Sequence, residues 1–247
     1  FSKRPATIYR DERGRDVIGY YGAIAEWFDL ELVAAVAKKF SECCLLLVGS
    51  DTVRAKSKLG RLSNVKFIGE VPYGELPFYL YGFDVCILPF KVMPLTRATN
   101  PVKVYEYLSA GKPVVAIDLP EMEQFGDLVK VAENHADFLS AVGASLKAKN
   151  DQDAASKRQA FAKEQTWTHR VEKLIAHIET DEQDPIVSVI VVTYNNLELT
   201  RACLASLDEN SVYGPLEMVV VDNASTDGTR ELLKEWATTG VNRRIVL

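Results

Sequence analysis

The chain is 247 residues long, 47% apolar and formally −5 at pH 7, which suits one large domain or two smaller ones with real cores. Its acidic balance, with a pI near 5.4, argues against nucleic acid or an anionic membrane as a general partner. No apolar run approaches the ~18–20 residues of a membrane span, and no leader-like stretch follows the opening Phe1-Ser-Lys-Arg-Pro.

Residues 1–16 are polar and irregular and read as a lead-in. A strand is predicted over 16–21, closed by Gly22. Asp29 suits the N-cap of a helix over 30–40, with Leu30, Val33, Ala34, Ala37 and Phe40 at inward spacing. A strand over 43–48 ends at Gly49, and one over 65–68 runs into the Gly69-Glu-Val-Pro-Tyr73 loop. A short helix over 75–81 and a strand over 85–88 follow. The stretch 99–117 then reads as loop, helix, turn and buried strand. Pro101 suits a first helical turn, and Val102, Tyr105, Leu108 and Ser109 share one face. Gly111 stops the helix with Pro113 just beyond. Val114, Val115, Ala116 and Ile117 make a run suited to burial on both faces.

Helices are expected near 136–149, 152–164 and 168–180, the last anchored to the sheet by Trp167 and Arg170. Continuous apolar strands alternating with helices imply an α/β fold, a Rossmann-like doubly wound parallel sheet. Ligands in such sheets bind beyond the carboxyl ends of the strands, which is where Gly22, Gly49 and the loops at 69–73 and 90–100 fall. The first domain is therefore placed at 1–180. Residues 181–185, acidic and ending in Pro185, read as a linker. Over 186–247 the pattern restarts: strand 187–193, helix 199–208, strand 216–221, helix 226–237 and a strand from 245. This β-α-β-α-β run suits a partial Rossmann-like domain that stops mid-fold.

Four cysteines, Cys43, Cys44, Cys86 and Cys203, lack CxxC spacing and read as free thiols in a reducing, cytoplasmic compartment. His135, His169 and His177 share no ligand spacing with them, so no metal site is expected in the first domain.

Lys103 would sit in the first turn of the helix after Pro101. Free amides, the positive end of the helix dipole and a mobile ammonium make an anion site there; the alternative is a solvated surface lysine. Glu106 lies one turn further in, where a carboxylate has no capping role.

The Glu106 helix followed by Gly111-Lys-Pro-Val-Val115 resembles the nucleotide-sugar site of family 4 glycosyltransferases of GT-B fold. The resemblance implies that Glu106 holds the donor ribose and that Gly22 lets the backbone approach a phosphate. It implies that backbone near Val71, in the run 69–76, reads the nucleobase. Trp27 stands where many members carry a basic diphosphate contact. Ala98 stands where the family has the first of two glutamates. Arg97, Asn100 and Lys103 are the candidates to hold the diphosphate instead. The reaction implied is retaining sugar transfer from a nucleoside-diphosphate sugar, without a metal or other cofactor, the leaving-group charge being stabilised electrostatically.

Residues 185–196 together with 219–229 (Val-Val-Val-Asp-Asn-Ala-Ser-Thr-Asp-Gly-Thr) resemble the start of a family 2 glycosyltransferase of GT-A fold. Tyr194 at a strand end can stack on a base, and Asp222 can accept a hydrogen bond from it. The resemblance implies a nucleotide pocket lined by Val192, Tyr194 and Asp222. Ser225, Thr226 and Asp227 read as capping residues. A complete second domain would take a divalent metal, Mn or Mg, on a motif further along.

Together these features point to part of a bifunctional glycosyltransferase of cell-surface polysaccharide synthesis, with neither active site complete. Its partners would be a sugar-nucleotide donor and a saccharide or lipid-linked saccharide acceptor, but not nucleic acid. The parent protein could associate peripherally with a membrane, and an open sheet edge could pair copies of the chain. The competing reading is a degenerate, non-catalytic scaffold. An NAD-dependent oxidoreductase is disfavoured, because no strand is followed by GxGxxG.

Overall fold

The computed structural model describes residues 1–179 and 186–247; the stretch expected as a linker, 181–185, lies outside them. The chain forms two compact units, Phe1–His169 and Arg170–Leu247.

In chain order the elements of the first part are β1 (Val17–Tyr21), α1 (Leu30–Lys39), β2 (Cys44–Val48), α2 (Ala55–Leu59) and β3 (Val65–Gly69). A 3₁₀ turn (Tyr73–Glu75) leads into α3 (Leu76–Gly82), β4 (Val85–Leu88), α4 (Pro94–Arg97), α5 (Val102–Ser109) and β5 (Val114–Ile117). A 3₁₀ segment (Pro120–Leu128) then precedes β6 (Val129–Ala132), α6 (His135–Lys147) and α7 (Gln152–Glu164), and α8 (Trp167–Glu179) starts at the end of the first unit and falls mostly in the second. All six strands are parallel, in the order β3-β2-β1-β4-β5-β6. Strands β1, β2, β4 and β5 are buried throughout, as runs without polar alternation require.

Sequence order reverses direction between β1 and β4, so helices leave these neighbours towards opposite sides. A crevice opens beyond their carboxyl ends, and every candidate residue of the first site belongs to this end of the sheet or its loops.

Asp29 caps α1 as expected, accepting from the amides of Glu31 and Leu32 at 3.0 Å each. Of the residues expected inward, Val33, Ala37 and Phe40 are buried but Leu30 and Ala34 only partly, and Leu32 and Val36 join the buried face instead. The same correction applies to α5, whose buried residues are Val104, Tyr107 and Leu108 while Val102 is exposed. Pro101 is the cap of this helix rather than its first residue. Gly111 ends it with φ +72°, its amide bonding Leu108 O and that of Lys112 bonding Tyr107 O. Lys112 is structural: its Nζ donates to the carbonyls of Tyr81 and Phe83 at 2.9 and 2.6 Å.

Three short elements were not expected. β6 lacks a continuous apolar run because it is an edge strand, with Lys130 and Val131 exposed. α2 and α4 are too short for a 3.6-residue periodicity to register. Nor is the opening segment a loose lead-in. The enclosed carboxylate of Asp11 pairs with Arg15 at 2.8 Å and Lys66 at 3.2 Å. Trp167 is exposed, so burial of its ring is not what holds α8. Cys43, Cys44 and Cys86 are buried free thiols and Cys203 is exposed; burial pushes Cys43 and Cys44 up to about 11.

The second part contains β7 (Val187–Thr193), α9 (Leu197–Asn210), β8 (Leu216–Asp222), α10 (Thr229–Thr238) and β9 (Arg243–Val246). Its three strands are parallel, in the order β7-β8-β9. Leu204, Val220, Leu233 and Trp236 form its core, with Val191, Met218, Leu232 and Ile245 against it. Burial alternates along β7: Ile190 and Val192 are 65% and 69% exposed. Although apolar on both sides, this strand is covered on one.

Candidate functional site

A cavity of about 670 Å³ opens at the reversal point of the first sheet. Tyr21 and Gly22 at the end of β1 form one wall, Phe90 after β4 another. Leu95, Thr96, the 99–102 segment and the α5 residues Lys103 and Glu106 close it, with Trp27, Tyr73 and Leu76 at the side. Thr96 pins the loop after β4, donating to Lys91 O at 2.6 Å and accepting from the Met93 amide at 3.0 Å.

Gly22 has φ +127°, and a Cβ there would stand 2.8 Å from Lys103 Nζ. Only glycine gives both the backbone shape and the space. Lys103 Nζ lies 5.2 Å from the centre of the Tyr20 ring and 5.3 Å from that of Phe90. Ring faces attract a cation, but the same rings exclude water. Burial therefore pulls the Lys103 ammonium down to about 8, against the opposing pull of Glu106. At neutral pH the ammonium is still largely charged, and a phosphate entering beside it would hold that charge more firmly.

Glu106 faces the cavity one turn further along α5. Its Oε2 accepts a hydrogen bond from Tyr21 Oη and its Oε1 one from Tyr73 Oη, both at 2.6 Å. The Tyr73 phenol is pushed up to about 12 by desolvation, then by this bond and the carboxylate charge. Tyr21 is raised further, chiefly by burial. Both remain protonated donors at neutral pH, and the carboxylate acts as an acceptor of paired hydroxyls.

Of the residues anticipated for this site, Gly22, Asn100, Lys103 and Glu106 line one cavity. Asn100 Nδ2 also donates to Tyr105 Oη at 3.3 Å. Arg97 is exposed at the end of α4, outside the residues lining the cavity, as is Ala98. Val71 packs its side chain on the core; its neighbours Tyr73 and Leu76 reach the cavity instead. Trp27 does line it, presenting an indole rather than a cation. Sequence reasoning missed Tyr21, Tyr73 and Phe90. The first two sat in view, one directly before the strand-end glycine and one inside the 69–76 loop. No local pattern marks a tyrosine as a partner of a carboxylate on another element.

In the second unit Thr193 pairs in register with Asp222, so the expected residues meet at adjacent strand ends with unlike burial. Val192 and Tyr194 are exposed. The Asp222 side chain is enclosed, its Oδ2 accepting from the Ser225 amide at 3.0 Å and lying 3.4 Å from Arg230 Nε. Its Oδ1 has no hydrogen-bond partner among the described residues. The loops after β7 and β8 are laced together. Ser225 Oγ accepts from the Asn195 amide at 2.6 Å, and Asn195 Oδ1 from that of Thr226 at 2.9 Å. Asp227 caps α9 rather than only the helix it precedes, accepting from the Leu197 amide at 2.9 Å as well as from Thr229. Among the described residues no three His, Cys, Asp or Glu side chains converge, so the divalent ion expected for a complete second domain has no ligand set to be assigned to.

The glycosyl transferases group 1 family profile matches residues 15–155, and that of glycosyl transferase family 2 matches residues 188–247. TuaH of Bacillus subtilis (strain 168), whose name assigns it provisionally as a teichuronic acid biosynthesis glycosyltransferase, is 31% identical over 164 residues. That alignment takes in 63% of this chain and 41% of TuaH, so the chain spans well under half of that relative. Glycosyltransferase AglE of Haloferax volcanii is 36% identical over 64 residues, 26% of this chain and 21% of AglE. Among solved structures, Anabaena HepE in complex with UDP and glucose superposes with a TM-score of 0.51 at 18% identity, over 66% of this chain and 47% of HepE. The six-stranded sheet is thus that of GT-B glycosyltransferases.

Proposed function

Because this chain belongs to the glycosyl transferases group 1 family and continues into a family 2 glycosyl transferase segment, we propose that its first 180 residues bind a nucleoside-diphosphate sugar in the cavity between β1 and α5. The observation that carries this reading is Lys103 and Glu106 one turn apart on α5, both facing the cavity at the sheet's reversal point. Lys103 and the free amides of α5 take the diphosphate, and the Gly22 backbone lets it approach. Glu106 accepts the ribose hydroxyls, and the base lies towards Val71 and Tyr73. Charge growing on the departing diphosphate is met by the Lys103 ammonium, and the family resemblance adds that the transfer proceeds with retention. Val192, Tyr194 and Asp222 form the nucleotide site of the second unit. The acceptor is a saccharide, free or lipid-linked, of a cell-surface polysaccharide, in line with TuaH's name. No helix among the described residues is long and apolar enough to cross a membrane, and a peripheral, cytoplasmic setting fits this reading.

A second reading has its own support. Trp27 in place of a cation and Arg97 outside the cavity lining leave Lys103 as the one cation among the lining residues, as in a site kept for docking. Thermal shifts with UDP, GDP, dTDP and CDP separate the two. A nucleotide at a hundredfold excess over its Kd stabilises the native state by about 2.7 kcal/mol. One responsive nucleotide, with the response lost in Glu106→Ala, is the expected result. No response to any of them would favour the scaffold.

A further inference from the structure

The two phenols on Glu106 are not equivalent. Tyr21 is 2% exposed, its ring edge-on to Tyr107 at 4.9 Å and its amide bonded to Tyr107 Oη at 3.2 Å. It cannot leave without opening the core. Tyr73 stands 65% exposed on the 3₁₀ turn before α3, its ring edge-on to Phe1 at 5.2 Å, and rotation about its own side-chain bonds, at the cost of that one ring contact, would carry its hydroxyl into water. Yet both bonds are 2.6 Å, short as O–H···O⁻ bonds are. A fixed donor and a releasable one thus share a single carboxylate.

We propose that Tyr21 is a positioning residue that fixes the Glu106 carboxylate permanently, while Tyr73 is a built-in stand-in for a ligand hydroxyl that yields Oε1 to the ribose when a nucleotide enters. The inference rests on the assignment of Glu106 to the ribose. Each carboxylate oxygen offers about two lone-pair directions, so Oε2 can keep Tyr21 and still accept a second hydroxyl. On Oε1 the exposed phenol occupies the place a ribose hydroxyl would take. While it is there Oε1 has one lone-pair direction left instead of two, the site is not fully competent, and apparent affinity falls in proportion to the competent fraction. Loss of hydration at its bonded hydroxyl and the Glu106 carboxylate push the Tyr73 phenol up to about 12, so the stand-in donor persists across neutral pH. Tyr73 is one of the residues lining the cavity, so its displaced ring stays within reach of a base to lie against. The device keeps an acceptor-only group satisfied in the empty site and sets a threshold that a single hydroxyl does not meet as well as a diol.

The test is calorimetric titration of the full chain and of Tyr73→Phe, Tyr21→Phe and Glu106→Gln with UDP, GDP, CDP and ADP and their 2′-deoxy counterparts. Tyr73→Phe keeps the ring and removes the competitor, so it should bind the cognate ribonucleotide about three- to tenfold more tightly. Tyr21→Phe should bind it about tenfold more weakly and lose preference for ribose over deoxyribose. A purely structural role would weaken both sugars alike. Unchanged or weaker binding by Tyr73→Phe overturns the proposal, and that exposed variant is not at risk of misfolding. If Glu106→Gln abolishes the ribose preference while both tyrosine variants titrate like the wild type, the ribose assignment stands and the stand-in fails. If no nucleotide binds the wild type, or Glu106→Gln keeps the preference, the assignment falls and the proposal with it.

Discussion

A Cβ on Gly22 would stand 2.8 Å from Nζ of Lys103: the ammonium fills the space that the missing side chain leaves at the end of β1. The contact joins the first strand of the sheet to the helix between β4 and β5. It also makes the glycine part of the anion site rather than a turn alone.

Gly22→Ala should therefore displace Lys103 and weaken nucleotide binding, with a backbone cost of about 1–3 kcal/mol from the positive φ. Gly49→Ala should be worse for folding, because its Cβ would meet Gly22 O at 2.1 Å and a backbone atom cannot swing aside. Denaturant melts of the two variants, set beside nucleotide titrations, check the order. A Gly22→Ala protein that binds as the wild type would disprove the coupling.

Burial opposes the charge of Lys103, as it does those of Lys112 and Arg158, and holds Lys103 near 8. The unfolded chain binds the proton more tightly than the folded one, so this residue makes stability rise with pH between about 8 and its ordinary value near 10.4. Nucleotide affinity should move the opposite way, falling as pH climbs past about 8 by about one decade per unit. Lys103→Met should raise the melting temperature at pH 7, flatten the alkaline rise and abolish binding. Melting curves and titrations from pH 6 to 10 would show both trends.

Asp11 is held well below the usual carboxylate range, first by its hydrogen bond to Arg15 and then by backbone amides and Lys66, against desolvation. A depressed carboxyl contributes stability that is present above its unfolded value, about 3.9, and is lost as pH falls through the folded one. Asp11→Asn should cost about 1–3 kcal/mol at pH 7 and shrink the loss of stability below about pH 4. Urea melts at pH 7 and pH 3 give the comparison. Equal destabilisation at both pH values would contradict it.

In the second unit Val192 and Val220 occupy neighbouring strands but are 69% and 0% exposed. Val192→Thr should stay within about 0.5 kcal/mol of wild type, whereas Val220→Thr, which buries a hydroxyl, should cost about 1–3 kcal/mol. If Val192 lines a nucleotide site, its substitution will change binding without changing stability.

Much of this was legible in the residues. β4 and β5 coincide with the runs 85–88 and 114–117, and β7 with 187–193, because an apolar run between turn residues has few other uses. Gly111 ended α5 where Gly-Lys-Pro said it would. The faces of α1 and α5 were read only in part, for a common reason. Both helices carry apolar or aromatic residues all round, Tyr105 and Tyr107 on different sides among them, so spacing alone does not choose the inner side. Arg97 was a candidate beside Lys103 without its place in a helix's first turn, and it stands exposed at the end of α4, outside the cavity lining.

By itself, the sequence determined the alternation of strand and helix, the stops at Gly22 and Gly111, and the presence of Lys103 and Glu106 on one helix. Those are local properties, set by propensity and period within a few residues. Only the tertiary structure decided what Glu106 touches. Its partners Tyr21 and Tyr73 lie 85 and 33 positions away, and they meet it because the strand order seats β1 beside β4 and opens the crevice there. Hydrogen bonds of that range follow from packing, and packing is chosen by the whole core at once.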